Sequence, residues 1–233
     1  MIAVVVVTCV LFVAGLWVFS IEPLSALGVL ERLTPNFIYR VRTERPLVAL
    51  SFDDGPHPEF TPQVLEILEQ HDAKATFFLI GERALRHQEV VAEIKDAGHE
   101  VGNHYFRNGP TLFHSNAEFT RNLEKTERAL GIAARGKLFR PPGGVAWPTQ
   151  LRLARAQGYQ CVLGCAYPHD PMRPPMWYIK WLIVKNLRPG TIVILHDGIP
   201  DPRRSIQALP HILDAGRGKG LRFVSIGELL RDG

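Results

Sequence analysis

From Leu47 to the C-terminus two hydrophobic periods alternate, and this alternation restricts the fold more than any other feature of the chain. Short runs rich in β-branched and aromatic residues, at 47–52, 75–80, 99–103, 137–140, 159–166, 191–196 and 221–226, suit strands. Helical patterns separate them. Thr61-Pro62 is an N-cap and first-turn pair ahead of Val64, Leu65, Ile67 and Leu68. Ser115 and Glu118 have capping-box spacing ahead of Phe119 and Leu123, and Gly98, Gly131 and Gly158 stand where helices should stop. Strand–helix repetition implies parallel strands, because a parallel pair needs a crossover connection. About seven such units in 233 residues predict an α/β fold, a closed or nearly closed barrel, with a doubly wound sheet as the alternative that spacing alone leaves open.

The N-terminus is of a different kind. Residues 2–21 carry no charge and are rich in Val; as a helix at about 1.5 Å per residue they would span roughly 30 Å, the thickness of a bilayer core. No Lys or Arg precedes Arg32, and the run is longer than the apolar stretch of a cleavable signal peptide. The chain is therefore expected to hold a transmembrane anchor over 1–21, a stalk or lead-in over 22–45 and a folded domain over 46–233, membrane-anchored with that domain on the extracytoplasmic side. A composition of 46% hydrophobic and 21% charged residues excludes a disordered chain. The 27 basic and 23 acidic residues are scattered without a Lys/Arg block, which argues against a nucleic-acid partner. Four residues of strand separate Cys161 from Cys165, roughly 13 Å against the 7 Å or so that a disulfide tolerates, so both are expected as free thiols.

Placed on this scaffold, the polar residues converge. Asp53 and Asp54 follow the first strand, His104 the third and Asp170 the fifth, while Arg140 ends the fourth and His196 the sixth. The C-terminal strand ends of a parallel α/β barrel carry its active site, so six residues distant in sequence share one rim. Carboxylate, imidazole and guanidinium groups around one pocket suit hydrolysis by a metal-activated water: a divalent ion lowers the pKa of its water towards about 7, a second carboxylate accepts the proton, and a histidine protonates the leaving group.

Ser51-Phe52-Asp53-Asp54-Gly55-Pro56 resembles the first motif of the polysaccharide deacetylases, the NodB-homology or carbohydrate esterase 4 family. Gly102-Asn103-His104, Phe139-Arg140-Pro141-Pro142, Tyr167-Pro168-His169-Asp170 and Ile194-Leu195-His196-Asp197 follow in the order of its other four motifs. The resemblance covers about residues 46 to 230. It implies a distorted (β/α) barrel that removes acetyl groups from an acetylated polysaccharide or oligosaccharide with a divalent metal, zinc foremost and cobalt or nickel as alternatives. Carried over, Asp53 is the catalytic base and Asp54 and His104 are metal ligands. Arg140 holds the base, His196 is the general acid, and Asp170 tunes that histidine. Arg140 is expected to lower the pKa of Asp53, and Asp170 to raise that of His196.

Several positions depart from the pattern. The family's second metal histidine, four residues after the first, falls on Asn108, whose amide oxygen is a poorer zinc donor than imidazole; a shifted register puts Gly109 there. His114 is close enough in sequence to substitute, against the plainer reading of a loop histidine ahead of the Ser115 cap. Gly143 stands for a tyrosine in the third motif, Pro171 for a tryptophan after the fourth, and Ile194 for the acetyl-pocket leucine. Gly143, Ile194 and Tyr167 are thus the expected substrate-binding positions, in an altered groove. Two further readings stay open: a glycan-binding pseudoenzyme that lacks one metal ligand, and an O-acetyl esterase acting on xylan-type polymers.

Overall fold

The computed structural model describes residues 24–132 and 137–232. The run 2–21, with the anchor its composition suggests, lies outside the described residues; among those described, no helix is long and apolar enough to cross a membrane. Helix α1 (Leu24–Leu33) belongs to a unit that ends at Pro35, and a second compact unit begins at Asn36, ahead of the pattern change at Leu47.

All seven expected strands form: β1 (Leu47–Gly55), β2 (Thr76–Leu79), β3 (Glu100–Asn103), β4 (Lys137–Phe139), β5 (Tyr159–Cys161), β6 (Ile192–His196) and β7 (Arg222–Val224). They pair in parallel in the order β5-β4-β3-β2-β1-β6, with β7 against the first residues of β1. Past β5 the chain crosses to the opposite edge, where Ala166 bridges Val193 and accepts the Ile194 N–H at 3.0 Å. That link joins the two ends of the sheet and makes it barrel-like. It also explains why β5 stops at Cys161 instead of running to Ala166: the chain leaves β4 to close the ring. Neither Cys161 nor Cys165 forms a disulfide.

Between the strands lie α2 (Phe60–Gln70), α3 (Gly81–Arg86), α4 (Gln88–Asp96), α5 (Asn116–Leu130), α6 (Pro148–Ala156), α7 (Met176–Asn186) and α8 (Arg203–Gly218), and α9 (Ile226–Asp232) follows β7. Ser115 caps α5 by accepting the Glu118 N–H, and Gly131 ends it in the left-handed conformation, φ 56°, that only glycine adopts without penalty. The expected cap at Thr61 is not used as one. Glu59 occupies the cap of α2, and the Thr61 hydroxyl donates instead to the Asp197 carboxylate.

Two cores follow from the two-residue period of the strands. Val48, Leu50 and Phe52 of β1, with Val193 and Leu195 of β6, face the helices and pack on Val64, Leu68, Ile183, Leu209 and Ile212. Their alternates Leu47 and Ala49, with Phe78, Leu138, Val162, Ile192 and Val224, fill the barrel interior against Ile226 and Leu229 of α9. Along β1 this inner face reads Leu47, Ala49, Ser51, Asp53, apolar at the N-terminal end and ionisable at the C-terminal one. Along β6 it reads Ile192, Ile194, His196. Period-two geometry therefore plugs one end of the barrel and leaves its chemistry at the other.

Candidate active site

An extended strand would point Asp54 away from the side that Asp53 faces. At this point β1 is irregular: its pairing with β2 shifts register between Asp53 and Gly55, and Asp54 takes a φ of 69°. Such a bulge re-aims one side chain. Asp53 continues the inner face, and Asp54 brings its Oδ1 to 3.3 Å from Nε2 of His104.

Asp53 is held by Arg140, whose Nη1 donates to Oδ1 at 2.6 Å. Arg140 is itself 2% exposed and spends its other donors on Ser51 Oγ at 2.8 Å, Val162 O at 3.2 Å and Leu163 O at 2.5 Å, with the guanidinium 4.1 Å above the Phe78 ring. Burial draws its pKa down and the Asp53 charge opposes this. A buried cation fixed on five sides offers one carboxylate a single geometry.

Across the rim, Asp53 and His196 are direct partners in the β1–β6 ladder. Asp170, in a short turn after β5, accepts from His196 Nδ1 at 2.9 Å through Oδ1, and its Oδ2 takes the His196 backbone N–H at 2.9 Å and the Ser205 hydroxyl at 2.8 Å. Burial alone would lower the imidazole's pKa. The charge and hydrogen bond of Asp170 outweigh it, Asp53 and Asp54 add to them, and the ring is raised to about 9.

His104 sits at the tip of an Asx turn in which Asn103 Oδ1 accepts the Tyr105 N–H at 2.8 Å, with Tyr105 at φ 69°. Its Nδ1 is 2.8 Å from the Arg140 carbonyl oxygen, which can only accept, so Nδ1 carries the proton and Nε2 turns its lone pair on Asp54. Two electron-pair donors 3.3 Å apart need a proton or a cation between them. Two ligands at about 2.0–2.1 Å from one tetrahedral ion stand roughly 3.3 Å apart. Burial pushes the Asp54 carboxyl up; with a proton also on His104 Nε2, the hydrogen bond and charge of that imidazole, aided by His196 and Arg83, hold it below the usual range. The pair fits a divalent cation, on two protein donors: among the described residues no third His, Cys, Asp or Glu joins it.

Asn108, the expected third donor, is exposed on the loop beyond Tyr105. The cause is Tyr105, buried against Phe119 of α5, while Tyr105 O and Phe106 O accept the N–H groups of Gly81 and Glu82 in α3; the chain beyond is drawn over those helices. His114 is occupied too, its Nδ1 2.7 Å from the Tyr105 hydroxyl and its Nε2 3.8 Å from Glu118. Tyr167 flanks the site, its ring centroid 5.8 Å from that of His196. Ile194 lies on the inner face beside Gly164, whose missing side chain leaves room for it. Gly143 is exposed in the turn Pro142–Gly144, with nothing within 4 Å of a would-be Cβ, so no wall of the groove is built there.

Sequence reasoning missed Ser51, Ser205, Asp197 and Arg83. Ser51 shares the inner face of β1 with Asp53 and was legible from period two. Asp197 is fully buried under Gly55, and burial, opposed in part by Thr61, raises its carboxyl to about 7. Ser205 and Arg83 lie on helices, and nothing local marks them.

Residues 40–162 match the polysaccharide deacetylase family model. The chain belongs to that family, hydrolases that remove acetyl groups from glycans. It is 38% identical over 206 residues to a peptidoglycan-N-acetylglucosamine deacetylase of Bacillus cereus, covering 83% of this chain and 92% of the relative. A solved peptidoglycan N-acetylglucosamine deacetylase superposes with a TM-score of 0.79 at 32% identity, covering 83% of this chain and 92% of that one. A pseudoenzyme of the same family from Bacillus anthracis superposes at 0.75 with 29% identity, over 86% of this chain and 71% of its own, and a mutant of it has restored enzymatic activity. The family's deacetylases are metalloenzymes.

Proposed function

We propose that this chain is a metal-dependent N-deacetylase of N-acetylglucosamine units in a wall or chitin-type glycan, built on a distorted (β/α) barrel. One observation carries the reading: Asp53 and His196 are neighbours across β1 and β6, and each has its own buried counter-ion, Arg140 for the first and Asp170 for the second. A surface that only binds sugar has no use for a matched acid and base.

A divalent cation on Asp54 and His104, zinc in the first instance, would polarise the acetyl carbonyl and ease deprotonation of water. Asp53, aimed by Arg140, takes the proton of the water that attacks the carbonyl carbon. His196 holds its Nδ1–H towards Asp170, so its Nε2–H faces the rim and passes to the departing nitrogen as the C–N bond breaks. Acetate and a free amine are the products. Tyr167 and Ile194 border the acetyl group in this reading. The uncharged run 2–21 supports anchoring in a membrane, with the domain on the extracytoplasmic side.

The test is acetate release from chitin oligomers, peptidoglycan and acetylxylan with added zinc, cobalt or nickel. Release from the N-acetylated glycans that Asp53→Asn abolishes is expected; release from acetylxylan alone makes the chain an O-acetyl esterase. The exposed Asn108 and the two-donor site favour the second reading, a glycan-binding pseudoenzyme. Sugar binding with no acetate under any metal would establish it.

A further inference from the structure

Two loops bring backbone carbonyls together at the rim, and one side chain outside every motif joins them. Arg83, in the first turn of α3, donates through Nη1 to the backbone oxygen of Asp54 at 2.6 Å and to that of Gly198. The first oxygen belongs to the residue after the base, at the end of β1. The second lies two residues past His196, at the end of β6.

The close approach is built in. A Cβ on Gly198 would overlap the Asp54 carbonyl oxygen and carbon, so only glycine lets the two loops touch. Asp54 is at φ 69°, a conformation that costs an aspartate roughly 1 kcal/mol or more and persists only where neighbours impose it. Two half-buried carbonyl dipoles converge here, and the two N–H groups of one guanidinium nitrogen answer one each. Without Arg83 the oxygens would repel, and Asp54 would relax towards the extended backbone that turns its carboxylate from His104.

We propose that Arg83 is a positioning residue: it bolts the Asp54 end of β1 to the His196 end of β6 and so fixes where the metal-binding carboxylate meets the acid–base pair. This rests on the reading of Asp54 and His104 as the metal pair.

The experiment compares full-length wild type, Arg83→Ala, Arg83→Lys and the control Arg86→Ala, whose side chain pairs with Glu82 on the exposed face of the same helix. Zinc affinity is read by chelator competition, kcat and KM by acetate release, folding by Tm, and the Asp54–His104 distance by crystallography of the metal-free proteins. Arg83→Ala is expected to weaken zinc about tenfold, the size of one lost hydrogen bond to a charged donor, and to lower kcat with little change in KM. In its metal-free crystal Asp54 and His104 should part beyond hydrogen-bond reach, about 3.5 Å. Arg83→Lys should recover most of the loss, and Arg86→Ala should match wild type. Zinc affinity and kcat within about twofold of wild type, or a lower Tm with the distance unchanged at 3.3 Å, would overturn the proposal. A wild type that takes up no zinc would sink the metal reading instead, and the crystallographic distances would still decide the role of Arg83.

Discussion

The rim has two halves of unequal build. In the acid–base half each charged group has a buried partner: Asp53 with Arg140, Arg140 with Ser51 and two carbonyl oxygens, Asp170 with His196 and Ser205. In the metal half, Asp54 and His104 face each other at 3.3 Å and Asn108 stands outside. Buried ion pairs are costly to desolvate and contribute little net stability, so the completeness of the first half points to chemistry. On the two donors of the second, a cation would be held more loosely than on a three-donor set.

The largest expected effect breaks the complete half. Arg140→Met leaves Asp53 buried without its cation, which should cost about 3–5 kcal/mol in urea unfolding and abolish acetate release; an Arg140→Met protein as stable as wild type would show the pair is not buried in solution. Next, Asp53→Asn and Asp54→Ala separate the halves. The first should keep zinc and lose turnover roughly 10²–10⁴-fold, the second should lose zinc itself, and equal zinc loss in both would contradict the division.

The third effect is on pH. The His196 imidazole is raised to about 9, so the acid stays charged through neutral pH and the alkaline limb of kcat falls as pH rises through that value. By the same linkage, its charged form adds stability that is fully present below about 6.5 and is lost as pH rises towards the folded value. Asp170→Asn should move the limb acidward, towards about 6.5; a limb that stays put would assign the acid elsewhere. Smallest is Asn108→His. If its loop can reach the pair, zinc should tighten on the order of tenfold; Asn108→Ala should leave affinity unchanged, and a loss there would make the exposed amide a ligand after all.

Much of this was legible beforehand. Six strands fall within the apolar runs and β1 runs past its own through Asp53 and Asp54 to Gly55, because parallel strands buried on both faces show up as β-branched stretches whatever surrounds them. Five of the six rim residues stand at or just past a strand end, whereas Asp170 lies nine residues beyond Cys161 and was readable only from its motif. For Asn108 spacing only counts residues, while Tyr105, by burying itself on α5, sets the course of the exposed residues that follow. Thr61 was misread for a related reason: its helix begins one residue earlier, at Phe60, and its hydroxyl donates to a buried carboxylate and accepts the His57 N–H instead of capping the helix.

The amino-acid order alone determined the period of each element and the motifs by which the chain resembles its family, since these are written in neighbours within a few positions. Tertiary structure decided the rest: that the sheet closes through Ala166, that a bulge turns Asp54 beside Asp53, and that Arg83, Ser51 and Ser205 brace the site from remote segments. Those outcomes depend on contacts between segments up to 142 residues apart, such as Ser51 with Val193, and no local pattern encodes which carbonyl a distant side chain will meet.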